Sequence, residues 1–174
     1  MAEEICIWFI GPDRTGLIAH ITNYLFDKEV NISDIACTAT GDNAELTMIH
    51  TLPRGVTMEE IEKDLKGMPE LSDGTLEVSP YHFKEARGPS STVTHRFTLA
   101  GDDIPGLIAK ISKTLDEHGA NIVRMNSETH QGIHSVVNIS RFAISLRQEK
   151  APDCLAAIVR IACELKLTFR YEAT

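Results

Sequence analysis

Two short stretches carry residue types able to hold a small anion. Gly11-Pro12-Asp13-Arg14-Thr15-Gly16-Leu17-Ile18-Ala19-His20-Ile21 is matched without a gap, ninety positions later, by Gly101-Asp102-Asp103-Ile104-Pro105-Gly106-Leu107-Ile108-Ala109-Lys110-Ile111. Each stretch follows an apolar, β-prone run and leads into apolar residues at helical spacing, so each marks a strand turning into a helix. The first amides of a helix lack intrahelical acceptors, and the helix dipole adds positive potential there. Gly16 or Gly106 would let a carboxylate approach that backbone closely. Asp13 and Asp103 are predicted N-caps, their carboxylates accepting from the orphan amides. The same residues serve equally well as plain caps and helix–sheet packing contacts, so the motif permits binding without requiring it. Arg14-Thr15 stands against Ile104-Pro105, which makes the two turns inequivalent.

Other reactive residue types are dispersed. His130 and His134 flank an expected hairpin turn and do not share a helical face, so they read as solvated turn residues and not as metal ligands. His20, His50, His82, His95 and His118 lack carboxylate or cysteine companions at ligand spacing. Cys6, Cys37, Cys154 and Cys163 form no CxxC or Cys/His pattern and read as reduced, buried thiols. Cys154 and Cys163 are expected on opposite sides of one helix. The sequence contains no G-x-S-x-G elbow, no phosphate-binding G-x-x-x-x-G-K-[ST] loop and no H-E-x-x-H helix. No catalytic residue, metal or cofactor is expected.

The 174-residue chain has a formal net charge of −8, with 43% hydrophobic and 24% charged residues. Such a surface repels phosphate backbones, and no basic cluster offsets it, which argues against direct nucleic-acid binding. No apolar run approaches the ~20 residues that cross a bilayer, and the acidic start is unlike a signal peptide. The expectation is a cytoplasmic, globular protein with no membrane partner.

The repeat extends to the elements around each turn. In the first copy the pattern predicts a strand over Ile5–Ile10 and a helix from Asp13 with Leu17, Ile18, Ile21 and Leu25 inward. Strands over 32–40 and 44–52 follow, joined by Gly41-Asp42-Asn43, then a helix over 57–66 opened by a Thr57/Glu60 capping box and a strand over 75–83. The second copy predicts a strand over 93–100 and a helix from Asp103 with Leu107, Ile108, Ile111 and Leu115 inward. Gly119 suits a left-handed stop for that helix, where the first copy has Glu29. Strands over 122–129 and 134–146 turn at His130-Gln131-Gly132, a helix covers 152–165 and a last strand 167–171. The order is βαββαβ twice, an α+β fold of two ferredoxin-like modules, each an antiparallel sheet with helices on one face. Residues 1–84 form the first expected domain, 85–91 a linker and 92–174 the second domain.

This order, the Asp-x-x-Gly-Leu-Ile turn and the Asn31-Ile32 and Asn121-Ile122 pairs resemble the ACT domain. The tandem arrangement is similar to the glycine cleavage system transcriptional repressor family. The resemblance implies an amino-acid ligand between modules, held by the turn and by the asparagine that opens the second strand. One half-site would be Asp13, Arg14, Thr15, Gly16 and Leu17 with Asn31 and Ile32. The other would be Asp103, Ile104, Pro105, Gly106 and Leu107 with Asn121 and Ile122. Each asparagine amide can donate to the carboxylate and accept from the ammonium. The implied ligand is a small amino acid of the glycine or serine class. The implied role is regulatory, through contact with a protein such as a transcription factor, in the control of glycine or amino-acid metabolism. The alternative is a stand-alone regulatory subunit of an amino-acid metabolic enzyme. A homodimer is compatible with either. The sequence leaves no length for an appended catalytic domain, so the chain is not expected to be an enzyme.

Overall fold

A continuous apolar, β-prone run makes the first strand, β1 (Glu4–Pro12), in the computed structural model: Ile5, Ile7 and Phe9 are buried, while Cys6 and Trp8 between them are only half-buried. The structure describes residues 3–81, 92–131 and 136–173. The expected linker 85–91, the end of the strand expected over 75–83, Gly132 and His134 lie outside the described residues. The chain divides into two units, Met1–Glu85 and Ala86–Thr174.

Unit 1 continues with α1 (Leu17–Asp27), β2 (Asn31–Thr40), β3 (Asn43–Thr51), α2 (Met58–Lys66), a 3-10 turn at Pro69–Leu71 and β4 (Thr75–Pro80). Unit 2 runs β5 (His95–Asp102), α3 (Leu107–Glu117), β6 (Asn121–Gln131), β7 (Val136–Ser145), a 3-10 turn at Gln148–Lys150, α4 (Ala151–Glu164) and β8 (Thr168–Ala173). The sheets have the orders β2-β3-β1-β4 and β6-β7-β5-β8, with antiparallel neighbours throughout. Each unit is therefore a ferredoxin-like α+β module.

In unit 1 the core-facing side of β1 meets Leu46 and Met48 of β3, and Leu17, Ile21 and Leu25 of α1 with Ile61 and Leu65 of α2 close over them. The inward stripe of α1 is narrower than its sequence suggested. Ile18 is 40% exposed, because residues four apart share a face and Ile18 is rotated ~100° from Leu17. In unit 2, Phe97 stacks on Phe142 with ring centroids 4.8 Å apart, beneath Leu107, Ile111 and Leu115 of α3 and Ile158 of α4.

Helices α1 and α3 stop alike. Glu29 (φ 57) and Gly119 (φ 69) both take the left-handed conformation. The next amides, of Val30 and Ala120, donate back to the carbonyls of Leu25 and Leu115 at 2.9 Å each. At α2 the capping box is half made. The Glu60 amide donates to Thr57 Oγ1 at 3.2 Å, while the Glu60 carboxylate is drawn across to Lys28 Nζ at 2.5 Å. The cysteines depart from expectation: only Cys154 is buried, Cys6 is intermediate, and Cys37 and Cys163 are exposed, with all four thiols free. Cys37 lies on the edge strand β2, and Cys163 is on the outer side of α4, opposite buried Cys154.

Candidate functional site

The chain leaves β1 still tied to the sheet, the Asp13 amide donating to the Asp42 carbonyl in the β2–β3 turn at 2.9 Å. It then turns, the Leu17 amide donating to the Arg14 carbonyl at 3.1 Å, and the equivalent Leu107 amide to the Ile104 carbonyl at 3.1 Å. Gly16 (φ 90) and Gly106 (φ 83) are the N-cap residues, both left-handed and with no side-chain cap. The expectation that Asp13 and Asp103 cap these helices is therefore corrected. The turn needs a residue at positive φ, which glycine provides, and that places both aspartates three residues too early to reach the first helical amides. Each helix thus starts with uncapped amides behind a residue without a side chain.

The remaining turn residues differ between units. Arg14 forms an ion pair with Asp73, in the segment before β4, and Thr15 is exposed. In unit 2, Ile104 packs against the core and Pro105 is exposed.

The strand register separates the two parts expected to form one half-site. Pro12 pairs with Asn43 at one end of the sheet and Glu4 with Thr51 at the other. Asn31 pairs with Thr51, so it lies at the Glu4 end while Asp13–Leu17 lies at the Pro12 end. The length of β1 between them is roughly 25 Å at ~3.3 Å per residue. Asn121 pairs with Ser145 at the His95 end of β5 in the same way, far from Asp103–Leu107. No single small amino acid touches both the turn and the asparagine of one unit. The physical reason is that α1 and α3 run back along the sheet before β2 and β6 begin.

Around each asparagine the edge strand is bulged. The register shifts between Ile32 and Asp34, leaving Ser33 extra, and between Ile122 and Arg124, leaving Val123 extra. Bulges of this kind kink the strand and re-aim side chains. Ile32 and Ile122 are partly buried against their cores. Across from Ile32 lies His50, fully buried, with neither ring nitrogen hydrogen-bonded among the described residues. Burial lowers the His50 pKa from its ordinary 6.5, the Asn31 backbone offsetting part of the effect.

A basic side chain one helical turn past each glycine was not singled out from the sequence. His20 Nε2 lies 3.6 Å from where a Gly16 Cβ would stand, and His20 Nδ1 is 2.8 Å from Glu70 Oε1. At the equivalent place in unit 2, Lys110 Nζ is 3.2 Å from Glu164 Oε2. His20 therefore has a carboxylate companion after all, fifty positions away in the chain, where no local spacing could reveal it. His130 Nε2 is 3.2 Å from Glu128 Oε2 on the same strand. Among the described residues no group of three or more His, Cys, Asp or Glu is placed to hold a metal ion, and no helix is long and apolar enough to cross a membrane.

Two ACT-domain family models match the chain, one over residues 3–79 and one over residues 97–161. No curated protein matches it by sequence. Among solved structures, a protein of unknown function from Galdieria sulphuraria has TM-score 0.76 at 15% identity, covering 100% of this chain and 99% of that one. A candidate glycine cleavage system transcriptional repressor has TM-score 0.68 at 14% identity, covering 100% and 98%. At such identities these two likenesses establish the fold alone. The two family matches take in both strand–helix turns and both asparagines, and they support an amino-acid-sensing regulatory role. The chain belongs to the ACT-domain family and carries one ACT domain in each of its units.

Proposed function

We propose that this chain is a non-catalytic regulator that takes up a small amino acid and passes the change to a partner protein, as a transcriptional co-regulator of glycine or amino-acid metabolism. One observation carries the reading: the same device stands at the same place in both units. A left-handed glycine precedes a helix with no side-chain cap, and a basic residue follows one turn later. Uncapped amides and a nearby basic side chain suit a carboxylate. Asn31 and Asn121 supply amides that accept from an ammonium and donate to a carboxylate. The net charge of −8 favours an effect on transcription through a protein and not through DNA.

The test is thermal unfolding with each standard amino acid, glycine and serine first. A ligand at a hundredfold above its Kd adds ~2.7 kcal/mol, and for a chain of this size that raises Tm by roughly 5–10 °C. His20→Ala with Lys110→Ala should remove most of the rise if the ligand sits at the turns, and Asn31→Ala with Asn121→Ala should do so if it sits at the strand starts. If no amino acid at millimolar concentration moves the transition, the turns are packing devices only. A pull-down that recovers a metabolic enzyme and no transcription factor would favour a regulatory subunit over a transcriptional role.

A further inference from the structure

The open face of each sheet, turned away from its helices, carries opposite charge in the two units. In unit 1 the register puts Glu4, Asp34, Glu45 and Glu77 on that face. No Lys, Arg or His on the four strands shares it. Glu45 accepts from the Trp8 indole at 3.4 Å, and none of the four carboxylates meets a cation among the described residues.

In unit 2 the same face presents Arg96, Arg124, Arg141 and Arg170, all exposed. Three carboxylates accompany them: Glu128 is 3.4 Å from Arg141, Glu172 is 3.5 Å from Arg170, and Asp102 sits at the end of β5. Arg96 and Arg124 have no carboxylate partner among the described residues. At two equivalent positions the sign reverses directly, while Arg96 and Arg141 stand where unit 1 has Cys6 and Thr47, and Glu45 where unit 2 has Ile139. Asp34 stands opposite Ile49 as Arg124 stands opposite Ala143. Glu77 stands opposite Trp8 as Arg170 stands opposite Thr98.

Both faces have an apolar centre inside this charge. Cys6, Trp8 and Ile49 form it in unit 1 and are only half-buried; Ala100, Ile139 and Ala143 form it in unit 2. An antiparallel sheet with one solvated side ordinarily keeps that side polar. Trp8, the chain's single tryptophan, is the residue type that most often anchors an interface.

We propose that the open face of unit 1 docks on the open face of unit 2 of a second copy of this chain. One chain carries one face of each sign, so two chains satisfy both, acid on base twice, and the assembly closes as a dimer. A four-stranded sheet of this length offers roughly 450 Å² of face. Two such contacts bury roughly 1,800 Å² counted on both partners, the range of stable interfaces. The charges decide which face meets which, since acid on acid and base on base repel. An RNA strand on the arginine face is disfavoured, because single strands need aromatic stacking platforms and that face has no Phe, Tyr or Trp.

The test is sedimentation of the full chain and of two charge-reversed variants, with circular dichroism as the folding control. Arg96→Glu with Arg124→Glu makes both faces acidic. Asp34→Arg with Glu45→Arg and Glu77→Arg makes both faces basic. The wild-type chain should sediment as a dimer whose dissociation on dilution shifts Trp8 fluorescence to the red, and each folded variant alone as a monomer. Mixing the two variants in equal amounts should restore the mass of two chains. A monomeric wild type, variants that stay dimeric, or a mixture that stays monomeric would each overturn the proposal. So would an arginine-face variant that loses binding to single-stranded RNA while its dimer persists.

Discussion

The two units have nearly the same backbone plan and solve its tightest positions with different residues. In unit 1, Phe9 spreads its ring over Gly11 and Gly74. A Cβ on Gly11 would stand 2.5 Å from the Phe9 ring, and a Cβ on Gly74 would run into the same ring and stand 2.8 Å from the Ile10 carbonyl. In unit 2 the corresponding residues are Leu99, Gly101 and Leu167, and the Leu167 side chain fills the space that the ring fills in unit 1. A large residue on the strand with glycine in the loop gives way to two leucines. The volume is conserved while its source changes, as close-packed interiors require.

The buried polar groups differ too. His50 lies opposite Ile5 and Ile32, where unit 2 has Ile144 opposite His95 and Ile122. Ser140 in turn replaces Leu46. The Ser140 hydroxyl is satisfied, 2.9 Å from Ser127 Oγ and 2.7 Å from Asn138 Oδ1, whereas the His50 ring has no hydrogen bond among the described residues. The Ser140 hydroxyl finds side-chain partners on its own sheet, whereas the His50 imidazole has, among the described residues, only the Asn31 backbone beside it to offset its burial.

The largest effect is expected from forcing unit 2's solution onto unit 1. Gly74→Leu should destabilise unit 1 by about 3 kcal/mol through overpacking against Phe9. Adding Phe9→Leu should recover more than half of the loss. Denaturant unfolding of the single and double variants measures both, and additive losses would show that the two positions are not exchanging volume.

Next in size is His50→Leu. Removing unsatisfied buried nitrogens should stabilise the chain by about 1–2 kcal/mol at neutral pH. The gain should widen in acid. A folded-state pKa below the ordinary 6.5 means that the unfolded chain binds the proton first. Stability is then full above pH 6.5 and is lost as the pH falls below it, toward the folded value. Unfolding of wild type and variant between pH 7.5 and 5 gives the comparison, and parallel curves would show that His50 does not titrate on unfolding.

The smallest effect concerns the two helix stops. Glu29→Gly should stabilise by about 0.5–1 kcal/mol by relieving a left-handed non-glycine residue, and Gly119→Ala should cost about as much. Opposite signs in thermal denaturation support the equivalence of the stops; equal signs break it.

Much of this plan is legible in the sequence because it is written twice. The ninety-residue offset locates both strand–helix turns and both Asn-Ile pairs, and the apolar run Ile5–Ile10 lies within strand β1. The helix starts are misread because aspartate is a favoured cap, although the glycine directly before Leu17-Ile18 and Leu107-Ile108 carried the better signal. The separation of Asn31 from Asp13–Leu17 follows from α1 running back along the sheet, which the element order implies but residue spacing hides. The His20–Glu70 contact and the opposed charges of the open faces depend on long-range pairing and on strand parity after the bulges, and local sequence contains neither.

The bulge beside each asparagine also sets how the edge strand responds to gain or loss of a residue. Ser33 is the position the pairing skips, so Ile32 and Ile35 both look toward the helices although they are three apart. Deleting Ser33 restores simple alternation and leaves Asp34 and everything after it on its present side. Inserting a residue elsewhere in β2 puts the strand out of phase from that point on, exposing apolar side chains and burying the acid. Ser33 and Val123 are thus the points at which this fold can change length without changing faces.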